Sequence, residues 1–204
     1  MSGLRERKKQ RTHRALVNAA LRSFKEKGYE ETTIAEIAAA ADVSARTFFS
    51  YFASKEDVIF HDYPERMRHV LDLMAGRRPG EPVTDLLLRT MRASLEQAAD
   101  PDVFDMEEAA ARMELMLTVP ALQARALHLL FEQQLRLAKT LEQAYAGELD
   151  AVEAAAVVGS LVGAVKLAAM VSITRGDPRE QVWEAITAAA EISLYGRRQL
   201  PAEA

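Results

Sequence analysis

Signals that begin and end helices recur along the chain of 204 residues, and no stretch alternates polar and apolar residues as a strand does. Leu16, Ala20 and Phe24 repeat at four-residue intervals, as one face of a helix requires. Gly28 follows as a left-handed stop, and Thr33 with Glu36 three residues later has the pattern of a capping box. The pattern predicts an all-α protein of about nine helices. Their predicted bounds are residues 5–27, 33–40, 44–51, 54–75, 83–99, 101–117, 119–146, 150–175 and 178–195.

The composition is that of a globular protein, with 49% hydrophobic and 27% charged residues, which excludes disorder over the whole chain. The chain has no cysteine, which excludes a disulfide framework, a cysteine-based zinc site, an iron–sulfur cluster and a thiol nucleophile. Asn18 and Arg22 interrupt the apolar residues behind the basic N-terminus, so no signal peptide is predicted. Together these features predict a cytoplasmic protein.

Positive charge is concentrated at the N-terminus. Residues 1–27 contain nine Lys or Arg and two Glu, a net charge of +7, while the whole chain carries −4 and the remainder therefore −11. A basic arm on an acidic body indicates nucleic-acid binding. A solubilising tail would have the same charge, so charge alone leaves both interpretations open.

Residues 33–52 have the spacing of a helix-turn-helix, with two short helices joined by about three residues. Val43, Phe48 and Phe52 share one face of the second helix and are predicted to point inward. The opposite side carries hydrogen-bonding groups of a size that suits the DNA major groove. Spacing alone is equally typical of a structural helical hairpin.

The stretch TTIAEIAAAADVSARTFFSYFASKEDV, residues 32–58, resembles the DNA-binding domain of the TetR family of bacterial repressors. The family pattern has Thr before the first short helix and Gly or Asp before Val-Ser in the turn. The pattern continues with an aromatic residue, then with His or Tyr followed by Phe, and ends with Ser-Lys-Glu. This sequence fills nearly every position. The resemblance implies a helix-turn-helix domain with a basic arm over residues 1–55. It also implies an effector-binding and dimerisation domain over residues 56–204.

The resemblance also implies which residues contact a double-stranded DNA operator. Arg46 is the candidate for reading a base, since its guanidinium can pair with guanine O6 and N7. Tyr51 and Lys55 match phosphate contacts of the family, whereas Phe49 lacks the hydroxyl that a tyrosine there would offer. The full set of expected DNA contacts is Thr33, Ser44, Ala45, Arg46, Thr47, Phe49, Ser50, Tyr51 and Lys55, with Arg7, Lys8, Lys9 and Arg11 of the arm.

Residues 155–174 are apolar almost all around the predicted helix. A membrane span is the rival explanation. Lys166 at the centre and the many small residues argue against it, so burial in the domain and in a homodimer is favoured. The last two long helices of the family form a four-helix dimer bundle. The expected interface residues are Gly159, Gly163, Val182, Ile186 and Ala189.

A small-molecule effector is expected to bind the C-terminal domain. Methionine side chains adapt to irregular cavities, and polar residues on apolar helices often orient a ligand. Ordinary core packing is the competing interpretation for each apolar residue. The candidate pocket residues are Phe104, Met113, Met116, Phe131, Gln134, Lys166 and Met170. Residues 113–125 resemble a family branch with acyl-CoA-like ligands.

No serine-hydrolase, zinc-protease, phosphate-loop or dinucleotide motif is found in the sequence. We therefore expect no catalytic residue, no metal site and no cofactor. The expected function is that of a ligand-responsive regulator, most simply a repressor, which binds a palindromic operator as a homodimer and is released by a hydrophobic or amphipathic effector. The alternative is a helical ligand-sequestering or protein-interaction module that does not bind specific DNA.

Overall fold

The structure is a computed structural model that describes residues 2–98 and 105–196, except the side chains of residues 2 and 4–6. The prediction of an all-α fold is confirmed, and the described residues form ten helices. The helices are α1 (Ser2–Lys27), α2 (Ile34–Ala40), α3 (Ala45–Phe49), α4 (Lys55–Ile59), α5 (Tyr63–Ala75), α6 (Val83–Ala98), α7 (Met106–Thr118), α8 (Pro120–Ala144), α9 (Ala151–Thr174) and α10 (Arg179–Tyr195).

The single helix predicted over residues 54–75 is in fact two helices, α4 and α5, and this accounts for the tenth helix. Pro64 has no backbone N–H to donate to the carbonyl of Phe60, so a continuous helix would lose a hydrogen bond there. A proline is tolerated in the first turn of α5, where the N–H has no helical partner. The chain instead makes a turn in which the Tyr63 N–H donates to the Phe60 carbonyl at 3.1 Å.

The predicted helices over residues 101–117 and 178–195 both begin at a proline. Asp177, which precedes the predicted helix over residues 178–195, does not cap it, because the N-cap of α10 is Pro178 and no side chain donates or accepts a capping hydrogen bond there. The Asp177 carboxylate instead accepts from the Ser172 hydroxyl at 2.7 Å. The start predicted at residues 100–101 lies outside the described residues. The described part of α7 begins at Met106, after Asp105 accepts from two backbone N–H groups of its first turn.

The chain divides into two compact units. The first consists of residues 1–63 and 114–125. In it α1 packs against α2 and α4, and α2 packs against α3. Its core includes Leu16, Phe24, Ile37, Phe48, Val58, Ile59 and Leu122.

The second unit consists of residues 64–113 and 126–204. Its most extensive helix pair is α9 with α10, and α10 also packs against α6. Fully buried side chains in this unit include Leu86, Leu141, Tyr145, Val158 and Val182. These two units are defined by packing alone. The division into a DNA-binding part up to residue 55 and an effector-binding part after it stays a prediction.

By length and composition alone, α9 could cross a membrane, with a mean hydropathy of 2.0 over its most apolar window. Only 22% of that window is buried in the chain. Core helices of globular proteins satisfy the same criterion. Most of this window is therefore not buried by the rest of the chain.

Candidate nucleic-acid interface

Side-chain caps fix where α2 and α3 begin. Thr33 is the N-cap of α2, and its hydroxyl accepts from the Glu36 N–H at 3.2 Å and donates to Glu36 Oε2 at 2.9 Å. Glu36 accepts in return from the Thr33 N–H, which confirms the predicted capping box. The Lys27 ammonium, then the N–H and hydroxyl of Thr33, lower the pKa of Glu36 to about 2. The start of α2 is therefore held by an ionised carboxylate at neutral pH.

The turn between α2 and α3 depends on Asp42, which has a φ of +56°. This left-handed conformation is unusual for a residue other than glycine, although aspartate tolerates it better than most. Ser44 then caps α3, and its hydroxyl oxygen accepts from the Thr47 N–H at 3.1 Å. The turn reverses the chain within three residues and sets the direction in which α3 leaves it.

One face of α3 is buried and the other is exposed. Phe48 is fully buried and Phe52 nearly so, as predicted, and their ring centroids are 5.5 Å apart. On the opposite side Phe49 is 57% exposed. The other exposed residues of this face are Ser44, Ala45, Arg46 and Ser50. The structure thus brings most of the predicted base-contacting residues together on one surface.

Several predicted contact residues already have hydrogen bonds within the chain. The hydroxyls of Ser44 and Thr47 are 2.9 Å apart, and Ser50 donates to the Thr47 carbonyl at 2.6 Å. Thr47 and Tyr51 are half-buried. Tyr51 packs beside His13 of α1, with ring centroids 6.2 Å apart. Contacts of these groups with DNA stay a prediction, and some would have to replace bonds inside the chain.

The Lys55 ammonium is directed at the chain itself. It donates to the backbone carbonyls of Tyr29, Thr32 and Glu30 at 2.8, 3.3 and 3.4 Å, respectively. It also lies 4.2 Å from the centroid of the Tyr29 ring. The side chain is half-buried. Nothing in the sequence signals these contacts, because the partners lie more than 20 positions away.

The basic arm is helical. α1 begins at Ser2, and the predicted contact residues Arg7, Lys8, Lys9 and Arg11 are all exposed on it. The buried part of α1 begins only at Leu16. The basic residues of the arm therefore lie on about two exposed turns of α1, and this part of the arm is helical rather than extended.

Residues 114–125 belong to the first unit, a placement that the sequence did not predict. Leu122 is fully buried there, and Leu115, Met116 and Val119 pack against the same core. Arg125 lies 3.6 Å from the carboxylate of Asp57. Met116, predicted for the effector pocket, is thus placed beside the helix-turn-helix. The apolar spacing of these residues was visible in the sequence, but it does not say which core they enter.

The other predicted pocket residues have different surroundings. Phe104 lies outside the described residues. Phe131 is 58% exposed, and Lys166 is also exposed. Half-buried positions are occupied by Met113, Gln134 and Met170. A joint role in one pocket stays a prediction for this set.

A cleft of about 700 Å³ opens in the second unit beside the loop between α5 and α6. Its polar lining includes Arg78, Glu81, Asp85, Arg89 and Tyr195 and contains none of the predicted pocket residues. Glu81 Oε1 and Oε2 accept from Arg89 at 2.7 and 2.9 Å, respectively, and this pairing lowers the pKa of Glu81 to about 2. Neighbouring arginines and carboxylates offset each other, so the cleft does not favour a ligand of one charge.

The same loop is held to the end of α8 by an aromatic and ionic cluster. The Tyr145 hydroxyl donates to the Glu81 carbonyl at 2.9 Å. The Arg77 guanidinium lies 3.8 Å from the Tyr145 ring centroid and makes a paired contact with the Glu148 carboxylate. The cluster holds the chain just beyond the C-terminal end of α5, and the sequence has no local signal for it.

The predicted dimer residues lie on α9 and α10. A Cβ added at Gly159 or Gly163 would meet no atom within 4 Å, so the backbone is open to close approach there. Ile186 and Ala189 are half-buried. Val182 is fully buried within its own chain, which leaves it no surface for a second copy. Within the described residues no group of three His, Asp or Glu side chains is placed to hold a metal ion.

Two capped short helices with an exposed polar face, next to a basic first helix, are the arrangement of a helix-turn-helix DNA-binding domain. Residues 16–61 match the family described as bacterial regulatory proteins, tetR family. Residues 16–61 therefore carry the DNA-binding domain of this family.

Two kinds of relative support the assignment. The HTH-type transcriptional regulator TcmR of Streptomyces glaucescens is 35% identical over 150 residues, which is 72% of this chain and 66% of TcmR, just under two thirds of that protein. The structure of Thermus thermophilus FadR, a TetR-family repressor in complex with lauroyl-CoA, matches 94% of this chain and 99% of its own, with a TM-score of 0.53 and 25% identity. A regulator from Syntrophomonas wolfei shares the fold with a TM-score of 0.62 at 18% identity, over 96% of this chain and 100% of its own.

Proposed function

We propose that the chain is a cytoplasmic transcriptional repressor that binds a palindromic operator as a homodimer and is released by a small hydrophobic or amphipathic effector. The observation that carries the DNA-binding part is the exposed face of α3, with Arg46 exposed beside a buried Phe48. A buried aromatic anchor keeps the helix in place while the opposite face contacts the major groove. In this proposal residues 1–55 contact DNA, and residues 56–204 bind the effector and the second copy.

The contacts with DNA divide into two groups. Arg46 pairs with a guanine, and Ala45 with Phe49 offers an apolar surface that suits a thymine methyl group. The second group binds phosphates next to that base. It consists of Thr33, Ser44, Thr47, Ser50 and Tyr51. Arg7, Lys8, Lys9 and Arg11 of α1 add charge, so operator affinity should fall steeply with salt.

The dimer part of the proposal rests on the apolar face that α9 and α10 leave uncovered. Leu167 and Val171 of α9 are more than half exposed, and Ile192 of α10 is also exposed. Gly159 and Gly163 on α9 leave room for a second helix. A twofold axis through this face would pair two α3 helices with half-sites about 34–36 Å apart, as two-fold helix-turn-helix dimers require.

The effector part rests on polar atoms inside the second unit. Among the described residues, His69 Nε2, Thr90 Oγ1 and Ser193 Oγ are buried without a hydrogen-bond partner. Such atoms cost about 1–3 kcal/mol each unless water or a ligand satisfies them. Since the similar FadR structure holds lauroyl-CoA, we include an acyl-thioester among the effector classes to test. The predicted pocket residues in half-buried positions of the second unit are Met113, Gln134 and Met170.

Release would follow from a shift between two conformations. α5 begins at Tyr63, where the first segment of the first unit ends, and continues in the second unit, so it is one of the helices that connect the two along the chain. An effector that binds better when α5 is displaced would change the spacing of the two α3 helices in a dimer. Affinity for the operator that is the same with and without every effector class would contradict this step.

The experiment that tests the proposal is selection of bound sequences from a pool of random duplexes, followed by sequencing. An enriched palindrome is expected. Arg46→Ala should relax preference at one symmetric position by about 1–3 kcal/mol, while Arg68→Ala in α5, exposed and remote in sequence from α3, serves as the matched arginine control. No enrichment at low salt from folded protein would favour the alternative, a ligand-sequestering or protein-interaction module.

A further inference from the structure

Lys55 occupies a site formed by the turn between α1 and α2. Its ammonium donates to the carbonyls of Tyr29, Glu30 and Thr32 and lies over the Tyr29 ring. An ammonium has three protons and no acceptor. The three carbonyls therefore match its full donor capacity, and a phosphate could be bound only by giving up some of these bonds.

The turn presents several carbonyl acceptors to the Lys55 ammonium. Residues 28–33 connect two helices, so their carbonyls have few partners in secondary structure. Glu30 and Glu31 follow one another in the turn, and Glu56 is the neighbour of Lys55 on α4. Burial, and then Glu56, raise the pKa of the Tyr29 hydroxyl, so the ring under the ammonium stays neutral. The Lys55 ammonium therefore lies among carbonyl dipoles and over a π face, and, against the effect of burial, its positive charge helps to lower the pKa of the neighbouring Glu56.

The position of the turn affects α2 and α3. The Thr32 carbonyl that accepts from Lys55 belongs to the residue before Thr33, the N-cap of α2. The Thr32 hydroxyl in turn donates to the Gly28 and Ser23 carbonyls at 2.8 and 3.1 Å, respectively, at the end of α1. Lys55 therefore connects the first residue of α4 to the point where α1 ends and α2 begins.

We propose that Lys55 is a positioning residue, which holds α4 to the turn between α1 and α2 and so sets the orientation of the helix-turn-helix, and that it is not a phosphate contact. The inference rests on the proposed DNA binding for its functional consequence. The contacts of Lys55 themselves are independent of DNA. A phosphate contact would require the ammonium to leave the carbonyls when DNA binds.

Lysine reactivity in the wild-type protein tests this directly. The full chain is treated briefly with an acetylating reagent, with and without operator duplex, and modification of each lysine is measured by mass spectrometry. Lys55 is expected to react slowly in both states. Lys9, exposed on α1, should react quickly in free protein and be protected by DNA. Fast reaction of Lys55 in free protein and its protection by DNA would overturn the proposal.

A salt series on two variants gives the second test. Lys55→Ala should lower operator affinity by the same factor at every salt concentration, leaving the slope of log K against log salt unchanged, and should lower the melting temperature. Lys9→Ala should reduce the slope by about one without changing the melting temperature. A loss of about one in the slope of Lys55→Ala, with unchanged melting, would assign Lys55 to a phosphate.

Lys55→Arg separates charge from geometry. The planar guanidinium cannot reproduce the three-way donation of an ammonium to converging carbonyls, so the variant should melt early like Lys55→Ala. Full recovery of affinity and melting in this variant would overturn the proposal. If no DNA is bound by any form of the protein, the proposed function fails, while the reactivity and melting of Lys55 and its variants still decide its positioning role.

Discussion

Replacement of Leu122 by Ala measures how far residues 114–125 contribute to the first unit. Leu122 is fully buried in the core that α1 to α4 form. Each buried methylene contributes about 0.8 kcal/mol, and a cavity that does not collapse adds to the loss, so buried Leu→Ala changes cost about 2–5 kcal/mol. We expect the free energy of unfolding of the first unit to fall by about 3 kcal/mol.

That loss is large for a unit of this size. Residues 1–63 with 114–125 make about 75 residues, and typical stabilities of 0.05–0.15 kcal/mol per residue correspond to about 4–11 kcal/mol. Since about 1 kcal/mol shifts the melting temperature of such a domain by several degrees, the first unit should melt more than about 10 °C earlier. The second unit should keep its own transition.

Calorimetry and hydrogen exchange together provide the assay. Calorimetry gives the transition temperatures, and faster exchange of the amides of α2 and α3 identifies the unit that is destabilised. Leu127→Ala is the matched control, because Leu127 lies in the same helix and is 53% exposed. If the two variants melt alike and α2 and α3 exchange at the wild-type rate, residues 114–125 are not part of the first core.

Three further predictions concern single side chains. The pKa of Glu81 is about 2 in the folded protein against an ordinary value of 4.5, so its ionised carboxylate stabilises the fold above pH 4.5 and this stabilisation is lost as pH falls from 4.5 toward 2. The melting temperature of Glu81→Gln should therefore depend less on pH between about 5 and 3 than that of the wild type. Asp42→Gly should match or exceed wild-type stability, whereas Asp42→Val should lose about 1–2 kcal/mol in denaturant titration, because φ is +56° there. Tyr145→Phe should lose about 1 kcal/mol in the same titration, because the Glu81 carbonyl loses its donor, and an unchanged midpoint would contradict that contact.

Most helices could be predicted because their signals are local. The capping box of Thr33 with Glu36 and the left-handed stop at Gly28 both appear in the structure as expected. The break before α5 was missed although Pro64 is a clear signal, because the apolar periodicity continues across it. At the start of α10 the Asp177 carboxylate accepts from the Ser172 hydroxyl and does not cap the helix, and a sequence pattern cannot rank two such partners.

The candidate site was predictable to the extent that it depends on helix periodicity. Burial of Phe48 and exposure of Arg46 follow from their spacing on α3. The partners of Lys55 do not follow from spacing, because a fold must first bring α4 to a turn 23–26 residues earlier. Likewise, the apolar spacing around Met116 predicts a buried helix face but not the unit in which it is buried.

The hydropathy of α9 fits a membrane span and a protein-covered helix equally well, and its neighbour favours the second. α10 packs along α9 and carries Glu180, Glu184 and Glu191. A membrane around α9 would bring at least some of these carboxylates toward hydrocarbon, where a charge costs several kcal/mol. A second α9–α10 pair would instead cover Leu167 and Val171 and leave the carboxylates in water. We therefore infer that the apolar face of α9 is a protein interface.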